Sequence, residues 1–371
     1  MFNFLKKKFN FWLNQEIEIC EKYGYNLEKY ITPKTNPLHA KQIRLALFDG
    51  LCEEDIEKLS KIKYIDERQI IDEKTKMENN VCLEHFLNNF KPENSTNYSE
   101  YKIDDAIIGT ILGDIVGSRY EFVEHGEIKE LFHKNSFFTD DTVMTLAIKK
   151  AILENSFEPD YEKWFKTYYK KYPRAGYGSA FSSWCINENS KPYGSWANGS
   201  AMRVSYIGAF YQNVEDVIEQ AYKSACVTHN HIEGIKGAVV TAVCVWMAKN
   251  KYDKEEIRKY LFKHYGYTKE QSENRTYGEM DFNLYDIEQN KFKSNFVISC
   301  SFSVPYAIYC FLETNSLEEC YFKILEKFGD ADTTCAIAGG IAGIYYGIDE
   351  KYIEIIKEKL TSDLFNDLSG V

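Results

Sequence analysis

Apolar residues recur at helical spacing along most of this chain. In residues 41–48 they share one face of a short segment that stops at Asp49-Gly50, and residues 53–62 restart the pattern with Ile56 and Leu59 on a common side. From residue 101 the apolar segments lengthen. Residues 107–117 are almost wholly apolar and carry Gly109, Gly113 and Gly117 at every fourth position. Glycine costs about 1 kcal/mol relative to alanine inside a helix, so a repeated stripe predicts a second helix packed at close range. Asp114 falls inside this stretch and requires a buried partner. Residues 143–153 place Met144, Ala147, Ile148, Ala151 and Ile152 on one face, and the series continues through 234–247, 300–312 (with Pro305 near its start), 316–328 and 335–348. Residues 248–293 are polar and read as surface helices with a long insertion. No stretch between 101 and 348 alternates with period two, so the pattern predicts an all-α fold.

Residues 91–100 interrupt the pattern with Pro, Asn and Ser, and a domain boundary is placed there. The chain then reads as a small helical extension, 1–98, and a main domain, 99–371. The extension contains no residue cluster that suggests chemistry; a structural or partner-binding role is expected for it.

Composition narrows the classes. The chain has 371 residues, of which 44% are hydrophobic, enough for a sizeable core. A net charge of −11 argues against non-specific nucleic-acid binding and against docking on anionic membranes. The ten cysteines are scattered, with no C-x-x-C pair, and read as reduced core residues of a cytoplasmic protein. Lys6, Lys7 and Lys8 break the N-terminal apolar run and make it a poor signal peptide. No run approaches the roughly 18–20 apolar residues of a membrane span.

Candidate chemistry gathers at two helix starts. Gly329-Asp330-Ala331-Asp332-Thr333-Thr334 leads into the small-residue segment 335–347, and Thr139-Asp140-Asp141-Thr142 opens 143–153. One aspartate suffices to cap a helix. Two acids followed by hydroxyls, twice over, exceed that need. Four carboxylates brought together would repel unless compensated, and hard oxygen donors suit Mg²⁺, Mn²⁺ or Ca²⁺, so a two-metal site is the natural inference. Between the two clusters, residues 172–208 form a Gly- and aromatic-rich stretch. Its backbone could approach a ligand and Trp196 could offer a stacking face, or it could be ordinary turns around a core tryptophan. Thr228-His229-Asn230-His231-Ile232-Glu233 lacks HExxH and any suitably spaced cysteine, which speaks against zinc; His229 reads as a cap, a core residue or a hydrogen-bonding partner of a polar ligand.

Thr139-Asp140-Asp141, the run 195–204, Thr228-His229-Asn230-His231 and 329–334 together resemble the ADP-ribosylglycohydrolases, in that family's motif order, over roughly residues 103–348. The resemblance implies a compact, orthogonal multi-helix domain with two Mg²⁺ (or Mn²⁺) held by Thr139, Asp140, Asp141, Asp330, Asp332 and Thr333. It implies that Asp114, Gly178, Ser195, Trp196, Asn198, Gly199, Ser200, Met202, Arg203 and His229 bind substrate, and that Glu121, Asp332 and Asp141 are catalytic. Phe328, Ala331, Ala197 and Ile232 depart from the family's usual residues and bear on loop shape, not on the ligand set. The expected activity is metal-dependent release of ADP-ribose from a modified protein side chain, arginine first among the attachment residues. A cognate ADP-ribosyltransferase is a further expected partner. The rival expectations are a non-catalytic ADP-ribose- or transferase-binding protein that uses the extension, and a metal phosphohydrolase.

Overall fold

The structure, a computed structural model, describes residues 104–124, 126–266, 298–327 and 329–370, and, with breaks, 13–92. The N-terminal run, most of the boundary segment 91–100, most of the insertion and Phe328 lie outside the described residues. The described residues are helical, with two isolated bridges and no strand (Glu121 with Gly329, Ala197 with Ser299). The all-α expectation therefore holds. The chain divides into two compact units, one of residues 1–85 with 230–232 and one of 86–229 with 233–371.

In the first unit, α1 (Pro37–Asp49) and α2 (Glu53–Lys61) pack on each other. Ile56 and Leu59 face inward as their spacing predicts, and the His39 ring nitrogen Nε2 lies 2.9 Å from the Leu59 carbonyl. A further short helix, α3 (Leu83–Asn89), runs across the division between residues 85 and 86.

The second unit is organised on two antiparallel helices, α4 (Asp104–Gly117) and a helix near the C-terminus, Ala331–Tyr346. Between them in sequence come α5 (Asp140–Glu154), α6 (Tyr161–Lys171), α7 (Ser179–Ile186), α8 (Ser205–Phe210), α9 (Val214–Cys226), α10 (Ile232–Lys249), α11 (Lys254–Tyr265), α12 (Cys300–Leu312) and α13 (Leu317–Leu325). Ala331–Tyr346 is α14, followed by α15 (Lys351–Lys359) and α16 (Ser362–Ser369). The glycine stripe of α4 meets α14 backbone to backbone. A Cβ placed on Gly109 would lie 2.0 Å from the Gly339 carbonyl oxygen, one on Gly113 2.2 Å from that of Cys335, and one on Gly117 2.3 Å from the Asp332 Cα. Numbers rise along one helix as they fall along the other, so the start of α14 sits over the end of α4.

Other ties set the remaining helices around this pair. The Tyr321 hydroxyl of α13 donates to the Gly109 carbonyl at 2.6 Å. Lys149 of α5 is buried; its ammonium donates to Asp104 (2.9 Å) at the start of α4 and to the Leu368 carbonyl (2.5 Å) of α16. The described cysteines are all unpaired and most are buried. No helix among the described residues is long and apolar enough to cross a membrane.

Candidate active site

Two helix starts converge because α14 begins where α4 ends and α5 begins beside both. Asp114 makes the second junction. From inside α4 its Oδ2 accepts the backbone N–H groups of Thr139 (2.8 Å) and Thr142 (3.1 Å) and the Thr142 hydroxyl, and its Oδ1 accepts the Thr139 hydroxyl (2.7 Å). A helix start leaves N–H groups without intrahelical partners. Here a carboxylate from a neighbouring helix satisfies two of them and holds the start of α5 in place. Thr139 is the N-cap, its side chain accepting from the Asp141 N–H. Asp140 and Asp141 are thereby released from capping.

The same holds at α14. Asp330 is its N-cap residue, yet its side chain makes no capping hydrogen bond. Oδ2 of Asp330 instead accepts from Asn198 Nδ2 at 2.7 Å, and the same amide donates to the Ser303 hydroxyl at 2.9 Å. The Thr333 hydroxyl reaches across to Asp141 Oδ2 at 3.3 Å and bridges the two clusters. Oxygens of Asp114, Asp141 and Asp332 lie within 4.8 Å of one another, as do oxygens of Glu121, Asp330 and Asp332. Glu121 arrives from the loop after α4, where Glu121 bridges Gly329 and the Phe122 N–H donates to the Gly329 carbonyl at 2.8 Å.

This concentration of acids, most of them buried, shifts every member upward. Burial, then the nearby charge of Asp114, pushes Asp140 up to about 8. Asp141 is held well above the ordinary carboxylate range by burial, then by Asp114 and Asp140; Asp332 is held there by burial, then by Asp330 and Asp141. Burial and then Asp330 raise Glu121. Among the described residues no lysine or arginine pairs with these carboxylates. The buried Oδ1 of Asp141 has no hydrogen-bond partner. An all-oxygen donor set with an orphaned buried carboxylate oxygen is what a hard divalent cation requires, so the residues present fit such ions.

Five of the acids, Glu121, Asp140, Asp141, Asp330 and Asp332, line a cleft of about 610 Å³, a size typical of small-molecule sites (roughly 300–1,000 Å³). Of the residues expected from sequence, Glu121, Thr139, Asp140, Asp141, Gly178, Ser195, Asn198, Gly199, Met202, Arg203, His229, Asp330, Asp332 and Thr333 line it. Asp114, Trp196 and Ser200 do not. Asp114 stands behind the start of α5, the Trp196 carbonyl accepts the Cys300 N–H at 3.1 Å, and the buried Ser200 hydroxyl donates to the Gly234 carbonyl at 2.7 Å. The lining also holds Phe122, Phe137, Phe138, Arg174, Phe181, Tyr193 and Ile298, none of which stood out in the sequence. The segment 172–208 is not all loop: α7 supplies Phe181 to the wall. Phe122 lies at φ +50°, the left-handed region that a bulky side chain seldom occupies, and is exposed beside Glu121 at the rim.

Comparison with known proteins gives a consistent set of relatives. The ADP-ribosylglycohydrolase family model matches residues 95–368. The chain is 29% identical over 314 residues to ADP-ribosylhydrolase ARH3 of Homo sapiens, covering 66% of this chain and 85% of that protein. It is 30% identical over 262 residues to the protein of the same name from Gallus gallus, covering 57% and 71%. A solved structure titled "ADP-ribosylglycohydrolase-related protein complex" superposes with a TM-score of 0.54 at 22% identity, covering 72% of this chain and 96% of that one; it supports the fold.

Proposed function

The chain belongs to the ADP-ribosylglycohydrolase family, and from that premise we propose that it is a divalent-metal-dependent hydrolase that releases ADP-ribose from modified protein side chains. The observation that carries the metal dependence is the convergence of two helix starts. They present Thr139, Asp140, Asp141, Asp330, Asp332 and Thr333 around the unpartnered Asp141 oxygen. These six residues would hold two Mg²⁺ or Mn²⁺ ions. Bound there, such ions neutralise the carboxylates and provide Lewis-acid chemistry at ligand oxygens.

The chain's own residues account for the rest. Cleaving a glycosidic bond to ribose needs a proton handled at the leaving group or at the attacking water. Glu121 is exposed at the cleft, with a carboxylate oxygen within 4.8 Å of oxygens of Asp330 and Asp332. We assign it the proton transfer, with Asp332 and Asp141 as the neighbouring carboxylates that orient the reacting groups. Asn198 holds Asp330 in position from behind. Glu121, a cleft carboxylate outside that ligand set, suits a cationic guanidinium leaving group, so arginine-linked ADP-ribose is the first substrate to test.

The test is incubation of the purified protein with arginine-, serine- and aspartate-linked ADP-ribosyl peptides, with free ADP-ribose read by mass spectrometry. Release of ADP-ribose that EDTA abolishes and Mg²⁺ or Mn²⁺ restores is the expected result. AMP as product would replace this reading with a phosphohydrolase, and turnover indifferent to chelation would remove the metals.

A further inference from the structure

The wall of the cleft holds a buried cation, Arg203, that makes no ion pair with a carboxylate among the described residues. Arg203 is 1% exposed, and its guanidinium stacks on the Phe165 ring with 4.2 Å to the centroid. Its Nη2 donates to the Ser224 carbonyl (2.9 Å) and to the Thr228 hydroxyl oxygen (3.0 Å), while its Nε has no partner. The Ser224 carbonyl belongs to the last turn of α9, so the negative end of that helix helps to hold the charge. Burial lowers the Arg203 pKa to about 10, which leaves it cationic at neutral pH.

Thr228 passes this charge on. It is fully buried, and its hydroxyl oxygen lies 2.7 Å from Nδ1 of His229, the next residue in the chain. A guanidinium can only donate, so the Thr228 oxygen is the acceptor on that side. If its proton goes to Nδ1, every dipole in the chain Arg203–Thr228–His229 points away from the cation and each bond strengthens the next. The reverse arrangement aims two N–H donors at one oxygen, with the imidazole dipole opposing the guanidinium. The Tyr193 N–H donates to the Thr228 carbonyl at 3.2 Å, and the Tyr193 ring packs 5.8 Å from the His229 ring. Burial and the Arg203 charge together hold His229 well below its usual pKa, so the ring stays neutral.

We propose that Thr228, backed by Arg203, is a positioning residue that fixes His229 as the Nε2–H tautomer and makes it a fixed hydrogen-bond donor to an acceptor oxygen of the bound ligand. His229 lines the cleft, its Nε2 has no hydrogen-bond partner among the described residues, and a Cβ on Gly199 would lie 3.3 Å from that nitrogen. Arg203 then acts on His229 through Thr228, its Nη2 committed to Ser224 and Thr228.

The tautomer arm of the test needs no ligand; the affinity arm rests on the ADP-ribose reading above. Full-length, Mg²⁺-loaded protein labelled with ¹⁵N-histidine is measured by NMR, with Thr228→Val and Thr228→Ser prepared alongside and His229→Gln used to assign the signal. The wild type is expected to carry its proton on Nε2 and none on Nδ1. Thr228→Ser should keep that state, and Thr228→Val should lose it. In calorimetry, Thr228→Val should bind ADP-ribose on the order of tenfold more weakly, as expected for one misoriented hydrogen bond, and Thr228→Ser should bind like wild type. A wild-type His229 protonated on Nδ1, or on both nitrogens, would overturn the proposal. That measurement stands even if the valine variant fails to fold. So would a folded Thr228→Val that keeps both the tautomer and the affinity. A wild type that shows the Nε2–H tautomer but binds no ADP-ribose would instead remove the substrate reading and leave the positioning intact.

Discussion

Asp332 is buried and Asp140 half-buried, both face other acids, and neither is needed to fill a hydrophobic core. Asparagine at either position removes a charge that the fold must otherwise neutralise. Asp332→Asn and Asp140→Asn should therefore fold at least as well as wild type in the absence of metal, and lose turnover. The expected loss exceeds the roughly 10–100-fold typical of residues that merely support metal ligands. Circular dichroism with product release checks both halves, and full activity of either variant would refute the assignment. Asn198→Ala tests the supporting role itself. With its amide gone, Asp330 loses its 2.7 Å donor, and Mn²⁺ affinity should fall by about 10–100-fold with little change in secondary structure. Unchanged Mn²⁺ titrations would remove Asn198 from that role. At this scale the sequence was partly legible. Asp-x-Asp-Thr and Thr-Asp-Asp are local patterns that exceed what a helix cap needs. Nothing local distinguishes an asparagine that touches a ligand from one that grips Asp330, 132 positions away.

At the scale of elements, the α4–α14 contact decides where the acids go. Gly113→Ala sets two effects against each other. Alanine gains about 1 kcal/mol of helix propensity. Its Cβ, however, would meet the Cys335 carbonyl oxygen at 2.2 Å, and both sides of that contact are helix backbone with no flexible end to move away. Overpacking of this kind costs about 1–3 kcal/mol, occasionally more, so the clash wins and the variant should be less stable than wild type. Gly126→Ala, whose added Cβ would meet no atom of the described residues within 4 Å, is the control and should be near neutral. Chemical denaturation of the two variants checks the pair; a stabilised Gly113→Ala would mean that the helices do not pack through this stripe. The stripe itself was visible as a four-residue repeat. Its partner was not, because a repeat on α4 states that something approaches closely and is silent on what.

For the whole molecule, the buried acids link stability to pH. Burial pushes Asp114 up to about 6 and Asp140 up to about 8. Both exceed the unfolded carboxylate value of about 4, so between about pH 4 and 8 the metal-free native state binds more protons than the unfolded chain. Its stability should then fall as pH rises through that window. Metal-stripped protein should accordingly melt at a higher temperature at about pH 5 than at about pH 8, and added Mg²⁺ should raise the melting temperature more at the higher pH, where protons compete less. A metal-free melting temperature that climbs with pH would contradict the charge cluster. The sequence by itself determined the helical class, the four carboxylates with their hydroxyls, and the close-packing glycines, because each is written in local spacing. Only the tertiary structure decided that Asp114 caps α5, that Trp196 stays out of the cleft, and that Arg174, Phe181, Tyr193 and Ile298 line it. Those facts depend on which distant backbone segments meet, and the antiparallel seating of α14 on α4 is what settles the meeting.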